Sequence, residues 1–321
     1  MNAHLRLLLA CIMAVAGAAA AQPTSTGTGQ AYPAKHVRII TAAAGGGSDF
    51  ATRLIAAPLG TALGQQVIVD NRGLLAADIA AKAPADGYTL LLSGQTLWLL
   101  PFMRENVASN AGDFAPITLA TETANILVVH PTLPVKSVKE LVALAKARPG
   151  QLNFATSGVG NSVHIAGELF KSTAGVDVVR VNYKAASQAL TDLIAGQMQF
   201  MFAVPGSSLP HVKAGRLRAL AVTSAKPTAL APGLPAVAAA LPGYESVSRL
   251  AIFAPAGTPA PIVNRLNLEI ARALARADVK EKFLAIGVEA VSSTPEVLAA
   301  LIKSEMDRMG RLIKAAGIRA D

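Results

Sequence analysis

Short apolar segments alternate along this chain with amphipathic stretches of helical period, and that alternation confines it to layered α/β architectures with mainly parallel sheets. Residues 36–41, carrying Val37, Ile39 and Ile40, read as a strand. Small residues then turn the chain into a helix running from Asp49 to Leu59, closed by Gly60 or Gly64, and residues 66–69 are the next strand. The unit recurs with a helix at 78–83, a turn at Asp86-Gly87 and a strand at 88–92. Further strands are expected at 125–129, 152–155, 178–181, 200–202 and 217–222, with helices at 138–147, 163–172 and 186–195. The periodic stretches 262–275 and 295–313 are helices able to return over the first part of the fold.

A chain of 321 residues is long enough for about two domains. With 52% hydrophobic and 15% charged residues it has the composition of a core-forming protein rather than a disordered one. Apolar strands followed by proline, near 127–131 and 250–255, are candidate crossings between two lobes around a cleft. The expected division places 32–128 and 251–321 in one domain and 129–250 in the other.

The first 21 residues read separately. Arg6 supplies a positive charge, residues 7–16 are apolar, and Ala19-Ala20-Ala21 offers a small-residue cleavage site before Gln22. This is the pattern of a secretory signal peptide, with 22–31 as a flexible polar leader. The run is short for a membrane anchor. Cys11 follows a faint lipidation-like box, but the apolar region continues past it; cleavage after Ala21 would remove this single cysteine. Disulfide, thiolate-metal and cysteine-nucleophile chemistry are thereby excluded from the mature chain. An export signal also argues against cytoplasmic readings, including most nucleotide-dependent metabolism. The balance of 29 basic and 20 acidic residues gives a net charge of +9, but the basic residues are dispersed and aromatics amount to 4%. That distribution suits attraction of small anions better than nucleic-acid binding.

Two glycine loops carry the sharpest local signal. Ala42-Ala43-Ala44-Gly45-Gly46-Gly47-Ser48-Asp49 joins a strand to a helix, and Thr156-Ser157-Gly158-Val159-Gly160-Asn161 does the same further along. Free N–H groups at a helix start, reached closely through glycine, favour a carboxylate or phosphate. Asp49 is either part of such a site or a cap for its own helix. Two such loops facing one cleft would suit a small molecule with separated carboxylates.

Other chemistries are weaker. Neither loop completes GxGxxG, no GxxxxGK[ST] occurs, and Asp70 is only roughly placed for a ribose. His164 and Glu168 share a helical face, yet they lack an evident third metal ligand and read more readily as structural or ligand-proximal. Ser157, His164 and Asp192 can be drawn as a triad without a GxSxG elbow to support it. Trp98, beside Gln95 and Thr96, lines the cleft or packs in the core. Tyr183 lines the cleft or packs at a strand end. No catalytic residue, metal or cofactor is expected.

Together these segments resemble the tripartite tricarboxylate transporter solute-binding proteins, of TctC or Bug type. The similarity runs from Tyr32-Pro33-Ala34-Lys35 and Gly45-Gly46-Gly47-Ser48-Asp49 through Asn71-Arg72, Ala83-Pro84-Ala85-Asp86-Gly87-Tyr88 and Asp113-Phe114-Ala115-Pro116-Ile117. It continues in Thr156-Ser157-Gly158-Val159-Gly160-Asn161-Ser162-Val163-His164, Lys213-Ala214-Gly215-Arg216-Leu217 and Ala254-Pro255-Ala256-Gly257-Thr258-Pro259. The resemblance implies a type II periplasmic-binding-protein fold of two lobes. It implies a monomeric, non-catalytic receptor that closes on a small carboxylated solute and delivers it to a cytoplasmic-membrane permease. Carried onto this chain, it implies ligand contacts from Ala43, Gly46, Gly47, Ser48 and Asp49 on one side. Thr156, Ser157, Gly160, Asn161 and His164 stand on the other, with Gln95, Thr96, Tyr183 and Ala203 around them. A periplasmic sensor on the same fold, or an exported hydrolase, is the alternative.

The departures from the family pattern are informative. After Asn71-Arg72 the usual glycines give way to Gly73-Leu74-Leu75-Ala76-Ala77-Asp78, a bulkier and less polar wall. Ala185 replaces a common glycine, Ala203 stands where many relatives carry Asp, and the usual late Trp is missing from Ser246-Val247-Ser248-Arg249-Leu250. Together these changes point either to an altered solute, such as a more hydrophobic or aromatic carboxylate, or to lost affinity; the loss of the acid argues weakly against an acidic amino acid.

Overall fold

The structure is a computed structural model that describes residues 32–157 and 161–319. The expected signal peptide, the leader and Gly160 lie outside the described residues. The first part of the chain forms β1 (Val37–Thr41), α1 (Gly47–Leu63), β2 (Val67–Asn71), α2 (Ala76–Ala81), β3 (Thr89–Gly94), α3 (Thr96–Met103) and β4 (Phe114–Ala124). The middle forms β5 (Ile126–Val129), α4 (Val138–Ala147), β6 (Asn153–Ser157), α5 (Ser162–Ala174), β7 (Val179–Tyr183), α6 (Ala186–Ile194), β8 (Phe200–Ala203), α7 (Pro205–Lys213) and β9 (Arg218–Val222). The last part is β10 (Val247–Pro255), α8 (Ala260–Ala275), α9 (Ala277–Ala285), β11 (Glu289–Ala290) and α10 (Pro295–Ala315).

Two sheets define two lobes, ordered β11-β4-β10-β3-β1-β2 and β7-β6-β8-β5-β9. The parallel arrangement expected from the sequence holds for β1 with β2 and β3, and for β6 with β7 and β8. The sheets as wholes are mixed. β10 is antiparallel to β3 and β4, and β5 to β8 and β9, because each of these strands enters its sheet from the other lobe. The chain leaves the first sheet at Asn125, between β4 and β5, and is back in it by Val247. Both crossings therefore precede the expected boundaries at 128/129 and 250/251.

The core explains the strand sequences. In the first sheet Ile39, Leu90, Leu92, Ile117 and Ile252 face α1, α8 and α9, while Ile40, Leu91 and Phe253 face the opposite layer with Trp98 and α10. Burial on both faces requires continuous apolar runs, not alternation. The second lobe packs its aromatics together: Phe154 stacks on Phe200 at 5.7 Å and Phe202 on Tyr244 at 6.3 Å, while Phe170 meets Phe200 edge to face at 5.8 Å. These rings are buried structural groups, not stacking platforms for bases. Gly87 has φ +79°, and a Cβ there would fall 2.4 Å from Cγ2 of Ile262, so this turn requires glycine. Among the described residues no helix is long and apolar enough to cross a membrane.

Candidate functional site

Strand direction locates the cleft. β10 is antiparallel to both β3 and β4, so β4 runs with β1, β2 and β3. The chain passes to the second lobe from the carboxyl end of β4, and the carboxyl ends of β1–β3 therefore face that lobe. The same reasoning through β5 turns the carboxyl ends of β6, β7 and β8 toward the first lobe. Loops at such ends, leading into helices, are where open α/β sheets bind ligands.

The first glycine loop follows β1. Ala43, Gly46 and Gly47 are exposed, with Gly46 as the cap of α1 and no side chain bonded to the helix start. Ser48 is half-buried, and its carbonyl accepts from Thr52 Oγ1 at 2.7 Å. Asp49 is buried and its carboxylate is used by the protein: Oδ2 accepts from the Gly45 N–H at 2.9 Å, and Oδ1 accepts from Arg53 Nε at 2.9 Å and Asn71 Nδ2 at 3.0 Å. The Gly45 N–H, followed by Arg53 and Asn71, holds this carboxyl below the usual range despite its burial. Asp49 thus shapes the loop from inside. The next loop, after β2, projects Leu74 fully into solvent with Leu75 mostly exposed, and Phe50 is exposed on α1.

The second loop follows β6. Asn161 caps α5, its Oδ1 accepting from the His164 N–H at 2.9 Å and its Nδ2 donating to the Ser157 carbonyl. Ser157 is buried, and Thr156 is fully buried with no hydrogen-bond partner for its Oγ1 among the described residues. His164 is also fully buried; Arg180 Nη1 meets its Nε2, and Glu168 Oε1 lies 3.8 Å away. Burial, followed by the charge of Arg180, lowers its pKa to about 4, so the ring is neutral and accepts from the guanidinium. Tyr183 donates to Asp192 Oδ2 at 2.8 Å, and its pKa rises to about 12 by burial and then by that carboxylate. Ala203 is buried at the end of β8, opposite Ile126.

Gln95 and Thr96, after β3, meet Asn161 across a cavity of about 260 Å³. The cavity brings the two lobes together with elements that sequence reasoning did not assign: Ser246, Ser248 and Arg249 from the returning strand, and Glu305 and Arg308 from α10. Arg249 is 5% exposed and donates to Glu122, Glu245 and Glu305 through its three nitrogens. Burial opposes its charge, but Glu305, Glu122 and Glu245 outweigh that and raise its pKa. Glu305 also accepts from Gln95 Nε2 at 3.0 Å and Trp98 Nε1 at 2.9 Å, which places Trp98 in the core. An arginine within the apolar strand Val247-Ser248-Arg249-Leu250-Ala251 is itself a signal that carboxylates lie nearby. Their positions at 122, 245 and 305 give no local cue.

Two lobes joined by two crossings, with strand ends opposed over a polar chamber, define a two-lobe solute-binding protein. The chain belongs to the Tripartite tricarboxylate transporter family receptor group, TctC, whose pattern it matches over residues 51–318. It is 33% identical over 326 residues to Protein BugT of Bordetella pertussis, covering 98% of each chain. It is similar to the structure of R. palustris Rpa4515 with adipate, at 34% identity and TM-score 0.69, covering 90% of this chain and 99% of that one. It is also similar to MatC (Rpa3494) from Rhodopseudomonas palustris with bound malate, at 28% identity and TM-score 0.64, covering 88% and 100%.

Proposed function

We propose that this protein is exported to the periplasm, captures a small carboxylated solute between its lobes and presents it to a tripartite-type permease. The observation that carries this reading is the buried Thr156 hydroxyl, unpartnered among the described residues near the carboxyl end of β6, the strand that leads toward α5. A buried hydroxyl without a partner is costly, and an incoming carboxylate oxygen at a helix start would satisfy it. Ser157, Gly160 and Asn161 would complete that contact. The exposed first loop, with Ala43, Gly46, Gly47 and Ser48, would close on the other end of the solute, held in shape by Asp49. Binding of adipate and malate by similar proteins supports the solute class. No covalent step is invoked in this reading, and Nε2 of His164 is occupied by Arg180.

The test is calorimetry of the chain from residue 22 against mono-, di- and tricarboxylates, with small-angle scattering of the bound and free forms. A saturable one-to-one heat with one carboxylate class, accompanied by contraction, is the expected result. Folded, ligand-free protein that binds none of them would overturn the assignment.

A further inference from the structure

We infer that the chamber between Gln95 and the returning strand takes the hydroxyl-bearing part of the solute, so that this receptor prefers hydroxylated carboxylates over plain ones. This rests on the carboxylate reading above. The inference starts from Glu305, which is buried and has only acceptors to offer. Its Oε1 accepts from Arg249, and its Oε2 from both Trp98 Nε1 and Gln95 Nε2. The Gln95 amide is therefore fixed in one orientation: its nitrogen must face Glu305 and its carbonyl oxygen must face away. That oxygen makes no hydrogen bond to any described residue, and Gln95 lines the cavity. What Gln95 has left for a ligand is an acceptor, which selects a donor such as a hydroxyl.

Charge points the same way. Three carboxylates, of Glu122, Glu245 and Glu305, surround the two guanidiniums of Arg249 and Arg308. This end of the cleft has no surplus of positive charge to hold a carboxylate, and a solute anion placed against Gln95 would approach Glu305. The remaining polar wall is made of hydroxyls. Those of Thr96, Ser162, Ser246 and Ser248 line the cavity and bond to nothing among the described residues. Hydroxyls both donate and accept, and so match a polyol face. The volume of about 260 Å³ exceeds the roughly 30 Å³ share of one water several-fold, which leaves room for a fragment of the solute.

Calorimetry with acids matched in carbon number tests this: hexanedioate against its tetrahydroxy form, and butanedioate against 2-hydroxybutanedioate. At least one hydroxylated member should bind roughly tenfold tighter than its plain partner, the effect of one or two well-placed hydrogen bonds. Gln95→Met, close in volume, and Ser248→Ala should each reduce that ratio, with thermal melts reporting that both variants are folded. Equal affinity within every pair, or a preference that survives in both variants, would overturn the inference while leaving carboxylate capture intact. Folded protein that binds neither member of any pair would remove the carboxylate reading and this inference together.

Discussion

Two buried side chains of the second loop lead to opposite kinds of prediction. Thr156 carries a hydroxyl with no partner among the described residues, so Thr156→Val should leave the free protein as stable as before or up to about 1 kcal/mol more stable. The same variant should weaken solute binding roughly tenfold, which calorimetry and thermal melts would read together. His164 is neutral in the folded protein, with a pKa of about 4 against an ordinary value of about 6.5. Between those values the unfolded chain takes up a proton that the folded chain refuses. Stability should therefore fall as pH drops from about 6.5 to about 4, and be independent of this group above that window. Denaturation of His164→Gln across the same range should lose that component. Asp49, whose pKa is lowered, adds a separate loss at more acidic pH, below the ordinary carboxylate range. Sequence marks both loop residues, but the absence of a partner for one and the arginine beside the other depend on contacts made through the fold.

At the scale of elements, glycine placement decides which packing is possible. Gly167 on α5 lies against Phe154 of β6, where an added Cβ would fall 2.2 Å from the ring. That ring is itself buried and stacked on Phe200, so it has little room to yield. Gly167→Ala should cost about 1–3 kcal/mol, measurable as a lowered melting temperature. Helices and strands with strong periodicity were readable: α4 begins and ends where expected, and α10 starts at Pro295. β4 was not readable as a strand. Its Pro116 and its mixture of threonine and glutamate argue against a buried strand, yet β4 sits between β10 and β11, with a register shift beside Pro116. The short apolar helix α3 gave no helical stripe, because it is buried on most sides.

For the whole molecule, the decisive feature is the ion network at the crossings. Glu122 lies near the end of the outgoing strand, Glu245 and Arg249 on the returning segment, and Glu305 on α10. Arg249→Leu would leave three carboxylates without their shared cation and should cost about 3–5 kcal/mol in chemical denaturation. A second tie between the lobes joins Glu289 of β11 to Thr228 and to the Ala229 N–H. These contacts fix how the cleft is floored, and each brings together residues far apart in the chain.

The sequence by itself determined the layered α/β class, the family and the two glycine loops, because apolar periodicity and turn chemistry act over a few neighbouring residues. Tertiary structure alone decided that the crossing strands run antiparallel to their neighbours. It also decided that Asp49 serves its own loop, that Trp98 belongs to the core and that Arg249, Glu305 and the serines build the chamber. These outcomes depend on which distant segments meet, since burial makes a charge or hydroxyl seek whatever partner the fold brings within reach.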